Sequence, residues 1–337
     1  MVKKLVFLIA LCTTIGLGSY FAFQSFINEI MYSKLKKEYT EILNWEDRLL
    51  NFDTWFFPES EWKPKKEISY RKINDASMYH KSALKYFKLS ILIFIVGTVI
   101  ILFINYQNPL SIKNMSLTIL LMSMVCLIFG VTSPMLEIEV YEDDMEIPIK
   151  FDQLREEISE GTVKVLTFIP FIEEEMVKPT VDDVLASVLR NRIHTIKGRQ
   201  YFYYQNKSAA GVMNVLYKQG NYFVLTAITL FSFVIPFLKL IVSLILLFSK
   251  KLSDKLSIRK TIGYIGKLSM GDVFVASMYL SYMSFYSMNT GIETDSITLV
   301  GIYFFTIYVL LSIFSYFLLE KHLKSNYHGE IYSEKLG

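Results

Sequence analysis

The stretch 222-YFVLTAITLFSFVIPFLKLIVSLILLF-248 carries a single charge, Lys239, in an otherwise apolar run. A helix of that length crosses the roughly 30 Å of hydrocarbon in a bilayer, so the chain reads as a membrane protein. Lys239 stands about 13 Å from the end of the helix at 1.5 Å per residue. An ammonium at that depth costs roughly 2.5–3.5 kcal/mol on insertion scales, and polar groups inside the bundle must offset it. Ser232 precedes it in the same run, and 266-GKLSMGDVFVA-276 brings Ser269 and Asp272 to the start of the next one. Lys239, Asp272, Ser232 and Ser269 are therefore the candidate polar intramembrane site. Two readings stand: a place for a polar ligand group at membrane depth, or a structural ion pair that fixes helix packing. Lys239 and Asp272 meet if the lysine stem reaches down or if the helix of Asp272 starts before Met270, with 258–268 as the extension.

The rest of the chain agrees with a polytopic α-helical architecture. More than half of the residues are apolar, and the charges fall in blocks between long apolar runs. A formal charge of +3 gives no footprint for nucleic acid. Six spans are expected, at 5–26, 89–104, 117–135, 222–248, 270–288 and 297–319. The loop 249–269 holds Lys250, Lys251, Lys255, Arg259, Lys260 and Lys267 against Asp254, and short basic loops stay in the cytoplasm. Both termini then lie on that side. The lysines of 28–88 oppose this orientation, but acids nearly balance them and long loops translocate largely regardless of charge. The first span reads as an uncleaved anchor, because no Ala-x-Ala site follows its long apolar run. Cys12 and Cys126 both fall in spans, and His80, His194, His322 and His328 are scattered, so no metal, disulfide or other cofactor is expected.

Two extracytoplasmic regions follow from these spans. Residues 28–88 read as a helical hairpin continuing the first two spans, with Trp55-Phe56-Phe57-Pro58 as an exposed turn. Residues 136–221 read as a small α+β cap: a strand at Glu137–Tyr141, a helix capped by Thr180, and a strand at 197–204. Its acids, Glu142, Asp143, Asp144, Glu146 and 173–175, read as a solvated face. Tyr201, Phe202, Tyr203 and Tyr204 are expected to form an interfacial aromatic belt. After them Ser208 caps a short amphipathic helix that Gly220 stops, resting on the outer interface before the span that Pro236 shapes.

These segments, in this order, resemble the paraquat-inducible protein A family. The resemblance rests on Thr132-Ser133-Pro134-Met135-Leu136 at a span end, the Ser208-x-x-Gly211 helix with Gly220, the Ser232-x-x-x-Pro236-x-x-Lys239 span, the basic loop, and Lys267-Leu268-Ser269-Met270-Gly271-Asp272-Val273-Phe274-Val275. It covers about 112–322 as one four-span unit. The expected organisation is a two-span hairpin at 1–105, the unit at 112–322 with its outer loop 136–221 and basic loop 249–269, and a cytoplasmic tail at 323–337. Better-known members carry two units and zinc ribbons with paired CxxC motifs. Residues 105–116 hold no cysteine pair, and Leu268 and Gly271 replace the family's usual tryptophan and leucine.

The resemblance implies an integral subunit of the bacterial inner (cytoplasmic) membrane. Its partners would be membrane lipids and a periplasmic MCE-domain protein, and its work intermembrane lipid trafficking and envelope integrity. A tetraspan scaffold that binds another membrane protein without moving lipid is the alternative. The sequence offers no Ser/His/Asp set, HExxH, GxSxG or Walker pattern, so an intramembrane enzyme is the weakest class.

Overall fold

The computed structural model describes residues 2–56, 58–105, 111–166, 174–190, 192–249, 271–286 and 292–334. Two long helices open the chain: α1 (Val2–Ile42) and, after the short α2 (Trp45–Leu49) and α3 (Phe52–Phe56), α4 (Pro58–Asn105). Helix α5 (Ser111–Thr132) runs directly into strand β1 (Pro134–Ile149). There follow α6 (Asp152–Leu166), α7 (Glu174–Val188), β2 (Arg192–Ser208) and α8 (Ala209–Lys218). The apolar stretch 222–248 is built as α9 (Tyr222–Thr229), a π-helical turn (Leu230–Val234) and α10 (Ile235–Phe248). Helix α11 (Gly271–Tyr286), strand β3 (Glu293–Thr298) and helix α12 (Val300–Glu334) end the described chain.

Among the described residues, five helical segments are long and apolar enough to cross a membrane: Lys3–Ile42, Glu61–Ile104, Ile112–Thr132, Tyr222–Phe248 and Val300–His322. The protein is a polytopic helical membrane protein with a small three-stranded antiparallel sheet of order β2-β1-β3. The expected span at 270–288 is represented by α11, whose 16 residues reach about 24 Å at 1.5 Å per residue. The expected span at 297–319 begins later, because Ile297 and Thr298 belong to β3.

The chain divides into two compact units, 1–41 with 70–140 and 203–337, and 42–69 with 141–202. In the first unit α5 and α12 pack closely against each other. Leu120, Met122, Cys126 and Leu127 of α5 are buried, as are Phe304, Phe305 and Tyr308 of α12. Glycine makes that approach possible. A Cβ on Gly130 would lie 2.8 Å from the Phe305 nitrogen, and one on Gly301 only 2.4 Å from the Ser133 carbonyl oxygen. Helices α1 and α4 pair by the same device: Gly18 accepts the Phe94 ring and Gly97 accepts Thr14. Hydroxyls then bridge the backbones, Ser25 Oγ donating to Ala83 O and Ser90 Oγ to Gly18 O, each at 2.8 Å. Small residues and interhelical hydrogen bonds are what hold helices together where lipid removes the hydrophobic drive.

In the second unit Arg48 is buried, lies 4.8 Å from the centre of the Trp62 ring and donates to Lys197 O at 2.9 Å. Its burial works against the charge and lowers the guanidinium's pKa, while Glu61 opposes that shift. Trp62 in turn covers Gly198, whose φ of +79° suits a residue without a side chain. In the hairpin turn expected to be exposed, Trp55 is engaged instead. Trp55 is half-buried, donates its indole N–H to Leu49 O at 2.6 Å and stacks on His194 with centroids 4.6 Å apart. Phe57 lies outside the described residues, as do the side chains of Phe56 and Pro58. Helix α7 starts before the expected cap, running from Glu174 through Pro179 and Thr180. Part of the acidic face is structural: Arg199 holds both oxygens of Asp143 at 2.9 Å, and Asp144 accepts from Gly198 N at 2.6 Å.

Candidate functional site

The polar intramembrane site begins with a fault in a helix. Pro236 has no N–H to give to the carbonyl of Ser232, one turn back, and the N–H of Ile235 bonds to Leu230 O, five residues back. The result is the π turn, a feature found often at functional sites. Ser232 lies within it and is buried. Two and three turns further, Lys239 and Ser243 are buried on the same side of α10, since spacings of seven and four return to one helical face. The Lys239 Nζ lies 6.0 Å from the centre of the Tyr316 ring of α12, where Ser312 and Ser315 are also buried. Aromatic π faces attract cations at this range. Lys239 thus lies inside the bundle, beside an aromatic ring. Ser269 lies outside the described residues, as does the side chain of Asp272, which belongs to the first turn of α11.

An apolar groove of about 270 Å³ lies among α4, α5 and α12 in the same unit. Phe94, Thr98, Ile119, Met122, Ile307 and Leu311 help to line it, and Thr98 is its one polar lining residue among the described residues. That hydroxyl donates to Phe94 O at 2.7 Å, so the wall presents hydrocarbon.

A second polar assembly, which the sequence reading passed over, lies where β1 leaves α5. Alternation along β1 puts Glu137 and Glu139 on one face, and both are buried. On α1 a polar stripe, Ser25, Glu29, Tyr32, Lys36 and Thr40, is buried, and Tyr32 and Lys36 of it reach the two carboxyls. Tyr32 donates to Glu137 Oε1 at 2.8 Å; Tyr204 and Asn206 of β2 donate to Oε2 at 3.2 and 3.1 Å. Lys36 Nζ is 2.6 Å from Glu139 Oε1 and 3.9 Å from Glu137 Oε1. Asn206 also donates to Ser33 Oγ at 3.0 Å, tying β2 to α1. One turn up α1, Glu29 contacts His80 Nδ1 of α4 at 3.2 Å, and the His80 and Tyr32 rings are 4.8 Å apart. Burial pushes the Glu137 carboxyl up, to about 8, with the neighbouring Glu139 adding to the shift and Lys36 and Tyr32 opposing it. Burial and the Glu137 charge also raise the Tyr204 phenol above its ordinary value.

The remaining sequence candidates fall as follows. Ser208 Oγ accepts from Gly211 N at 3.0 Å, at the start of α8. Gly220 has φ +72°; its N–H bonds to Tyr217 O at 3.1 Å while the Asn221 N–H reaches Leu216 O at 3.0 Å. That pair of bonds is the Schellman stop, which calls for a left-handed residue. The four aromatics lie on β2, where neighbours point to opposite faces. Tyr201 is buried, 5.8 Å from Tyr141, and its N–H bonds to Leu43 O; Phe202 meets Trp45 at 5.7 Å; Tyr203 is exposed; Tyr204 belongs to the carboxylate cluster. The strand therefore divides the run between inner and outer contacts.

The missed cluster had a visible signal. Glu29, Tyr32, Ser33 and Lys36 recur at the 3- and 4-residue spacing of one helical face, and Glu-x-Glu alternates with Ile138 and Val140 immediately after a span. Neither pattern says that the two faces meet.

Comparison with known proteins places part of this geometry in a family. No curated protein and no solved structure matches the chain. The family model of paraquat-inducible protein A matches residues 195–323, which takes in most of β2, the π turn, Lys239, the basic loop and most of the apolar part of α12. Over residues 195–323 the chain is similar to the paraquat-inducible protein A family.

Proposed function

We propose that this protein is the membrane subunit of an MCE-type lipid-transport system in the bacterial inner membrane. Both termini lie in the cytoplasm, and β1, β2 and α6–α8 lie on the periplasmic side. The family match over 195–323 supports a membrane component of this kind, and the basic composition of 249–269 supports the orientation. The observation that carries the reading is Lys239, buried beside a π turn in a membrane-crossing segment and facing Tyr316. A lipid leaving a bilayer needs its headgroup held by polar groups at membrane depth and its chains kept in hydrocarbon. Lys239 and the buried serines offer the first, and the apolar groove among α4, α5 and α12 offers the second. The protein then acts as a carrier component without chemistry of its own, alongside a periplasmic MCE-domain protein.

Purification from native membranes tests this directly. The transport reading expects an MCE-domain protein to co-purify and phospholipid to be retained in a Lys239-dependent way. A stable membrane partner with no Lys239-dependent lipid would support the scaffold instead.

A further inference from the structure

We propose that Glu137 and Glu139, sharing the ammonium of Lys36, form a proton-operated latch between α1 and the sheet. The latch is fastened while Glu137 is protonated and loosened when both carboxyls are ionised.

Three observations carry this. The two carboxyl side chains are buried to 0% and 4% exposure and occupy alternate positions on one strand, so water screens neither. The ammonium is allotted unequally, 2.6 Å from Glu139 but 3.9 Å from Glu137, so an ionised Glu137 depends on the hydroxyls of Tyr32 and Tyr204 and the Asn206 amide. Finally, the donors come from elements remote in sequence: Tyr32 and Lys36 from α1, Tyr204 and Asn206 from β2. Glu137 is thus the knot that joins them.

The charged and titratable groups around Glu137 are Tyr32 and Lys36 on α1, Glu139 on β1 and Tyr204 on β2. His80 of α4 comes one step away through Tyr32, paired with Glu29. Strand β3 contributes Glu293, which is exposed, and Asp295, which is half-exposed. Two carboxylates within reach of one ammonium leave a surplus negative charge in a site shielded from water, and a proton on Glu137 removes it.

The sign follows from burial. Glu137 binds its proton more tightly folded than unfolded, so the latch is fully stabilised below the ordinary carboxyl range. That stability is lost as pH rises toward and through about 8. Alkaline conditions open the latch and acidic conditions close it.

The experiment uses the full chain in lipid nanodiscs, in a Cys12→Ser, Cys126→Ala background, with spin labels on Lys37→Cys in α1 and Tyr203→Cys in β2. Electron–electron distances are recorded between about pH 6 and about pH 9. The expected result is a narrow distribution at the acidic end that broadens or lengthens at the alkaline end. Glu137→Gln, which keeps the shape and removes the titration, should stay narrow throughout. In parallel, infrared spectra of unlabelled wild-type protein should lose protonated-carboxyl absorbance across the same step, and this needs no variant to fold. A wild-type distance that does not move with pH would overturn the latch. So would an equal movement in Glu137→Gln, or a movement with no change in the carboxyl band.

Discussion

The Lys36 ammonium lies 2.6 Å from the Glu139 carboxylate in a site where both side chains are under a tenth exposed. Removing one partner of such a pair strands the other's charge, at a cost of about 3–5 kcal/mol. Lys36→Met should therefore lower the thermal unfolding midpoint of the purified protein markedly. Lys36→Met with Glu139→Gln should recover much of the loss, leaving Glu137 to its neutral donors. Equal midpoints for wild type and Lys36→Met would show that the pair contributes nothing.

Gly220 presents a purely conformational test. Nothing lies within 4 Å of where its Cβ would be, yet its φ is +72°, a region that costs an ordinary residue roughly 1–2 kcal/mol. Gly220→Val should destabilise by at least that much, and Gly220→Asn by less, because asparagine tolerates the left-handed region. The order Asn above Val in thermal stability is the expected readout; equal stabilities would remove the conformational argument.

Gly301 presents the opposite case, where space and not φ decides. An added Cβ would meet backbone carbonyl oxygens of Ser133 and Pro134 at 2.4 and 2.5 Å, and backbone cannot step aside like the end of a side chain. Gly301→Ala should prevent close packing of α12 on the end of α5 and sharply reduce detergent-extractable folded protein by size exclusion. Gly16→Ala, which adds a methyl with nothing within 4 Å, serves as the neutral control.

The orientation is checked by labelling with a membrane-impermeant thiol reagent in cells whose outer membrane is permeable to it, starting from a cysteine-free chain. A cysteine replacing the exposed Glu146 should react, and one at Lys260 should be protected until the inner membrane is opened. The reverse pattern would invert the topology.

How much of this was legible in the sequence depends on the range of the interaction. Apolar length and charge blocks marked five of the membrane-crossing helices, because bilayer thickness acts on each segment alone. The strands at β1 and β2, the Ser208 cap and the left-handed Gly220 were legible for the same reason: turn and cap chemistry is local. Strand β3 was hidden, since Ile297 and Thr298 read equally well as the beginning of a span. The carboxylate cluster was hidden more deeply. Glu137 and Lys36 are about a hundred residues apart in the chain, and each alone has the appearance of an ordinary exposed charge; burial arises only when α1 meets β1. The aromatic run differs again, for a belt asks for one face and a strand presents its residues on two.

The most direct measurement of the central proposal takes Lys239→Met, Asp272→Asn and the double variant, and records membrane abundance together with phospholipid transfer in vesicles reconstituted with the proposed MCE-domain partner. If Lys239 and Asp272 neutralise each other and hold a headgroup, each single variant loses folded protein by an amount worth several kcal/mol. The double variant should then recover abundance while transfer stays lost. Full recovery of transfer in the double variant would contradict the account and leave the pair a structural one.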